Sequence, residues 1–196
     1  MDLYEHVTEL FHSHIDITMR SMEELPMAIG DCGELMAQCL LSDKKILCCG
    51  EGQSGAIAQI FSSHLLNRFN YERPGLAAIA LNADPTTITA ITAEGNFSEV
   101  FAKQIRALGQ AGDILLVLSS GNTTSSSSQA IQAAHDRDML VITINSDEHD
   151  SSALLLPEDV ELCIPTNNRA RLGEAQLMIT NCLCDIIEQQ LFGNEE

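Results

Sequence analysis

Positive charge is the scarcest thing in this 196-residue chain: 10 lysines and arginines stand against 28 aspartates and glutamates, a formal charge of -18. Such a surface repels nucleic acid backbones and anionic membranes and attracts basic protein partners, so direct nucleic acid binding is not expected. Long apolar runs are also missing, and nothing approaches the roughly 20 residues of a membrane span. The opening stretch MDLYEHVTELFHSH is acidic and amphipathic where a secretory leader would be basic and then apolar, which predicts a cytoplasmic protein with no membrane contact. Seven cysteines are present, Cys32, Cys39, the adjacent Cys48 and Cys49, Cys163, and Cys182-x-Cys184, but none forms a C-x-x-C arrangement. Neighbouring cysteines on a strand face opposite ways, and buried reduced thiols are the expectation. No internal repeat is visible.

What the chain does have is enough apolar content, 45%, to bury the core of one domain over residues 1–196. Residues 2 to 42 carry helical periodicity in Leu3, Val7, Leu10, Phe11 and Ile15 and, after Pro26, in Ile29, Leu35, Met36, Cys39 and Leu40. Two helices broken near Pro26 are predicted there. Their apolar positions exceed what a hairpin could hide on one small sheet, so self-association is expected. Over residues 43–196, short apolar runs at 45–50, 76–81, 113–120, 139–145 and 160–165 alternate with helical stretches at 54–69, 85–108, 124–137 and 169–192. That alternation predicts an α/β fold, a parallel sheet covered by helices on both faces.

The first strand runs into Gly50-x-Gly52-x-x-Gly55. A dinucleotide fold would place an acidic residue about 20 positions on, at the tip of the second strand. Glu72 has that distance but precedes the strand, and Asp84 follows it but lies too far along. A phosphate cradle fits better, because the Ser/Thr-rich stretch SSGNTTSSSS at 119–128 also joins a strand to a helix, where free N–H groups and the helix dipole favour an anion. Gly50, Gly52 and Ser54 from one loop, with Ser119, Ser120 and Thr124 from the other, are the candidate phosphosugar-binding residues. Ordinary turn chemistry and helix capping use the same residue types and are the alternative.

The segments KILCCGEGQSGAIAQIFSSHLLNRF, ERPGLAAIALNAD, FAKQIRALGQAGDILLVLSSGN, LLLPEDVELCIP and NCLCDIIEQQLF resemble the SIS (sugar isomerase) domain family. Within it they are most similar to the phosphoheptose isomerases and the non-catalytic DnaA initiator-associating protein (DiaA) group. The resemblance implies a five-stranded parallel sheet flanked by helices, in a flavodoxin-like three-layer sandwich. It also implies a homotetramer packed through the two N-terminal helices, with phosphosugar sites between subunits. The zinc-binding positions of the isomerases fall at Ile60, His64, Gly173 and Asn181, and only His64 keeps a metal-binding side chain. Two further isomerase aspartates fall at Glu94 and Ala170, while Glu174 matches a family glutamate that suits a structural salt bridge equally well. His64 shares a face with Ile57, Ile60, Phe61 and Leu65, which favours a histidine satisfied within a core or interface over a ligand.

The resemblance therefore implies a chain with no catalytic residues and no metal, with zinc expected only if the alternative, sedoheptulose 7-phosphate isomerase of lipopolysaccharide heptose synthesis, holds. A non-catalytic tetramer acting on replication initiation through the initiator DnaA is the leading expectation. Leu191 and Phe192 are its partner-binding pair, although Leu191 also continues the core stripe of the last helix. A phosphosugar-sensing regulator without initiator binding is the third possibility. Glu51, Gln53 and Ile60 depart from both groups, which leaves a third, divergent paralogue open, and the Glu51 carboxylate would repel a phosphate.

Overall fold

The computed structural model describes residues 2–119, 124–146 and 152–193. Asp2 caps the first helix, α1 (Leu3–Glu24), by accepting from the Tyr4 amide at 2.9 Å. Pro26 sits at the first turn of α2 (Pro26–Leu41), where its missing N–H costs nothing. Then follow β1 (Ile46–Gly50), α3 (Gln53–Leu66), β2 (Ala78–Ala80), α4 (Pro85–Ala93), α5 (Ala102–Leu108), β3 (Ile114–Leu118), α6 (Ser125–His135), β4 (Leu140–Ser146), β5 (Val160–Ile164) and α7 (Arg169–Phe192). All strand pairings are parallel, in the order β2-β1-β3-β4-β5. The α/β class and the five-stranded sheet flanked by helices are thus as expected.

Side chains alternate across the sheet and divide the core in two. Ile46, Cys48, Ile114, Leu116 and Leu118 pack with α2, α3 and α7 on one face, while Leu47, Cys49, Leu115 and Val117 pack with α5 and α6 on the other. Strands buried on both faces must be apolar at every position, which is why β1 and β3 read as unbroken runs. Cys48 and Cys49 do face opposite layers, and both are fully buried.

One expected element is corrected. The helical stretch at 85–108 is broken into α4 and α5, with a single 3-10 turn at Phe97–Glu99 between them. Gly95 takes φ +81°, a left-handed value that ends α4 and that residues with a side chain rarely adopt.

The link from α3 to β2 is fastened by a buried ion pair. The Glu188 carboxylate on α7 accepts from the Phe69 and Asn70 amides, each at 2.8 Å, and from Arg73 Nε at 2.7 Å. The Arg73 guanidinium also donates to the His64 and Leu65 carbonyls, each at 2.8 Å. Both side chains are almost wholly out of water. Burial alone would raise the Glu188 pKa, but the Asn70 and Phe69 amides and the Arg73 charge outweigh it and hold the carboxyl below its ordinary value of 4.5. A depressed folded-state value means that this contribution is complete above the unfolded pKa and is lost as pH falls through the folded one. Glu188→Gln, which strands a buried guanidinium, should cost about 3 kcal/mol or more in denaturant unfolding at neutral pH. The gap between wild type and variant should narrow on acidification below pH 4.5, and a gap that widened there would contradict the assignment.

Candidate functional site

In the order β2-β1-β3-β4-β5, α3 leaves β1 on one face of the sheet and α6 leaves β3 on the other. The carboxyl ends of β1 and β3 therefore open a crevice between diverging loops, the usual ligand position in such sheets. Both candidate phosphate loops meet there. Gly50 is needed for the approach, since a Cβ would stand 2.7 Å from the Leu118 carbonyl and 2.8 Å from the Ser54 backbone. Asn82, just beyond β2, brackets the Gly50 peptide, accepting from its N–H at 3.3 Å and donating to its carbonyl at 2.7 Å. Gly52 takes φ +57° and caps α3 with no side chain.

The polar groups of the crevice are largely committed to one another. Ser54, buried, donates its hydroxyl to Gln176 Oε1 at 2.9 Å. Gln176 Nε2 donates in turn to the carbonyls of Ser119, at 2.7 Å, and Ile144, at 3.0 Å. Thr124 is the N-cap of α6 and forms a capping box with Ser127. Its hydroxyl donates to Glu51 Oε1 at 2.9 Å, and the Ser126 hydroxyl donates to the same oxygen. Ser120 lies outside the described residues. Under Glu51 the cavity bounded by Cys49, Phe101, Val117 and Leu118 amounts to only about 10 Å³. Burial, and then the Glu51 charge, push the Cys49 thiol up to about 12, so it is no nucleophile at neutral pH.

The positions where the resemblance would put zinc do not fit the ion. Ile60 has no donor atom and is partly exposed on α3. A Cβ on Gly173 would land on the carboxamide of Gln53, so α3 fills the space that α7 leaves. His64 lies edge-on to Phe69, with ring centroids 5.0 Å apart. Asn181 lines a groove of about 850 Å³ between α1, α2 and α7, and its Oδ1, like Ser21 Oγ in the same groove, is buried without a partner among the described residues. One imidazole cannot supply the three or four protein ligands that zinc takes, and no cluster of three His, Cys, Asp or Glu suited to a metal occurs among the described residues.

The remaining family positions make other contacts. Glu94 pairs on the surface with Lys103 at 2.7 Å, and Ala170 lies in the first turn of α7. Glu174 accepts from Arg171 Nη2 at 2.8 Å and contacts His14 Nδ1 at 2.7 Å, tying α1 to α7 as a salt-bridge position should. At the far end of α7, Leu191 packs against the core, whereas Phe192 is half exposed, with the Arg73 guanidinium 5.9 Å from its ring centroid. The sequence marked Gln53 only as a departure from the family, without its contact, and Asn82 and Gln176 were missed. For Gln176 the only signal was a glutamine within the apolar pattern of the last helix.

The Gln53 and Gly173 pair makes a coupled prediction. Gly173→Ala in a Gln53→Ala background should stabilise the chain by about 1 kcal/mol, the helix-interior preference for alanine. In the wild-type background the gain should shrink by roughly 0.5 kcal/mol or more, because the new methyl group must expel the Gln53 amide. Additive effects in a double-mutant unfolding cycle would show that the two side chains are independent.

Residues 10–146 match the SIS domain family. Over their full lengths the chain and a phosphoheptose isomerase of Chromohalobacter salexigens are 46% identical. A DnaA initiator-associating protein DiaA of Cronobacter sakazakii is 42% identical over 99% of this chain and 100% of its own. The solved structure of a phosphoheptose isomerase from Francisella tularensis superposes with a TM-score of 0.92 at 40% identity, covering 96% of this chain and 100% of that one. In sequence and fold alike, the chain belongs to the SIS domain family, in the group of the phosphoheptose isomerases and DiaA proteins.

Proposed function

We propose that this chain is a non-catalytic SIS protein of the DiaA kind, a cytoplasmic homotetramer that regulates replication initiation by contacting the initiator DnaA. The observation that carries this reading is the filling of the Gly173 position by Gln53, together with Ile60 on the same helix as Gln53. Aldose–ketose isomerisation needs a base at one carbon and an acid or metal at the neighbouring oxygen. The positions that would supply them by family resemblance hold an alkyl group, a glycine, a lone histidine and an amide. The likeness to a protein named as initiator-associating, at 42% identity over nearly the whole chain, supports the choice of partner.

Assembly is supported by the outer face of α1, where Val7, Leu10, Phe11, Ile15, Met19 and Met22 are all exposed and apolar. Such a stripe is wider than a monomer in water usually leaves uncovered. At the end of α7, Phe192 offers an accessible aromatic contact, and the charge of -18 attracts a basic partner surface. Four copies would strengthen modest contacts through avidity.

The second reading, sedoheptulose 7-phosphate isomerase, is favoured by the names of relatives at 46% and 47% identity. The two are separated by running an initiator pull-down beside an isomerase assay. Under the leading reading there is no turnover with or without added zinc, and zinc-dependent turnover at ~1 per second or faster would establish the enzyme instead. Phe192→Ala should abolish initiator capture while leaving the melting temperature nearly unchanged. Leu191→Ala, which removes a packed side chain, should lower both stability and capture. Native mass measurement at micromolar concentration should return a tetramer, and a monomer would overturn the assembly.

A further inference from the structure

We propose that Glu51 is the resident anion of the switch-point crevice: an autoinhibitory contact by which the chain fills its own phosphate position. A sugar phosphate then enters only where the Glu51 carboxylate has been displaced or replaced. This deepens the family reading of the crevice as a phosphosugar pocket and is independent of initiator binding.

The contact is made by three described side chains from two loops. Glu51 follows the last residue of β1, and its Oε1 accepts from Thr124 Oγ1 at 2.9 Å and from Ser126 Oγ. Each hydroxyl has one proton to give, and an ionised carboxylate only accepts, so both donors at the start of α6 are spent on Glu51. The Thr124 amide is already committed to Ser127 Oγ at 2.9 Å. A phosphate approaching this turn would therefore lose the two hydroxyl donors that should hold it.

Space and charge act in the same direction. The cavity beneath Glu51, about 10 Å³, is room for roughly one water. Among the described residues that line it, none is lysine, arginine or histidine, so no cation offsets a second negative group. Like charges held about 4 Å apart near a protein surface repel by about 4 kcal/mol, enough to lower affinity on the order of a thousandfold. Helix capping alone would be met by Thr124 with Ser127. The carboxylate reaching across from β1 adds nothing that the cap requires, and what it supplies is negative charge at the mouth of the crevice.

The test uses the full-length protein with fructose 6-phosphate, inorganic phosphate and unphosphorylated fructose as probes. Glu51→Asn removes both charge and bulk, while Glu51→Gln removes only the charge and keeps an oxygen for the two hydroxyls. Wild type should show no thermal shift with any probe, and Glu51→Asn should rise by roughly 2 °C or more with fructose 6-phosphate at about 10 mM. A shift in Glu51→Gln as well assigns the block to charge; a shift in Glu51→Asn alone assigns it to bulk as well. Either supports the inference, and both variants are checked for native mass and wild-type circular dichroism. Equal shifts in wild type and variants, equal shifts with unphosphorylated fructose, or no shift in either folded variant would overturn it. Initiator capture by Glu51→Asn should equal wild type, so failure of the crevice inference and failure of the initiator reading give different results.

Discussion

The crevice is organised by one buried amide, Gln176. Toward the carboxyl ends of β3 and β4, the Ile144 carbonyl accepts from the Ser119 amide at 3.0 Å, and the Ser119 carbonyl just beyond β3 takes its donor from α7. Gln176 Nε2 serves both, and its Oε1 receives the Ser54 hydroxyl, so a single side chain on α7 fixes the exits of β1, β3 and β4. With no exposed surface, the amide has no water to fall back on, and a partly satisfied network of this kind is worse than none. The clamp ties Ser54 to the Ser119 and Ile144 carbonyls. Ser54 is turned inward by it, and the Gly50 loop and the Ser119 end of β3 are held at a fixed distance.

The consequence is a polar site that satisfies itself. Ser54 bonds Gln176, Thr124 and Ser126 bond Glu51, Asn82 bonds Gly50, and Gln53 fills the space at Gly173. Among the described residues of the crevice, these donors and acceptors are paired internally. Elsewhere among the described residues, the apolar face of α1 and the half-exposed Phe192 are uncovered, and oxygens of Asn181 and Ser21 in the groove and of Thr143 and Ser146 in β4 are buried without a partner.

The architecture was legible in the sequence because both faces of the sheet are buried, and continuous apolar runs such as ILCCG and ILLVL, each about the length of a strand, suit the interior of a doubly covered parallel sheet. The break at Gly95 was overlooked because apolar positions continue on both sides of it, although Gly95 followed by Asn96 is itself a turn signal. The meeting of the two loops followed from their shared place after parallel strands. What they do to each other did not, because Glu51 and Thr124 are 73 residues apart and Ser54 and Gln176 are 122 apart. Periodicity reports which way a residue faces, not which polar atom it will find there. Glu51 was recognisable as an intruder by its charge, but its hydroxyl partners were not.

Because Cys48 and Cys49 point into opposite layers of the core, the cysteine-rich centre of this protein is also chemically quiet. Five of the seven thiols are buried, and burial pushes those of Cys32 and Cys184 up to about 12. The exposed Cys182 is raised as well, by its partial burial in the groove and the neighbouring Asp185 charge. Alkylating agents, peroxides and disulfides all react through the thiolate, which these surroundings suppress. The folded chain thus shields five of its thiols, and a sudden rise in thiol labelling would serve as a sensitive gauge of its unfolding.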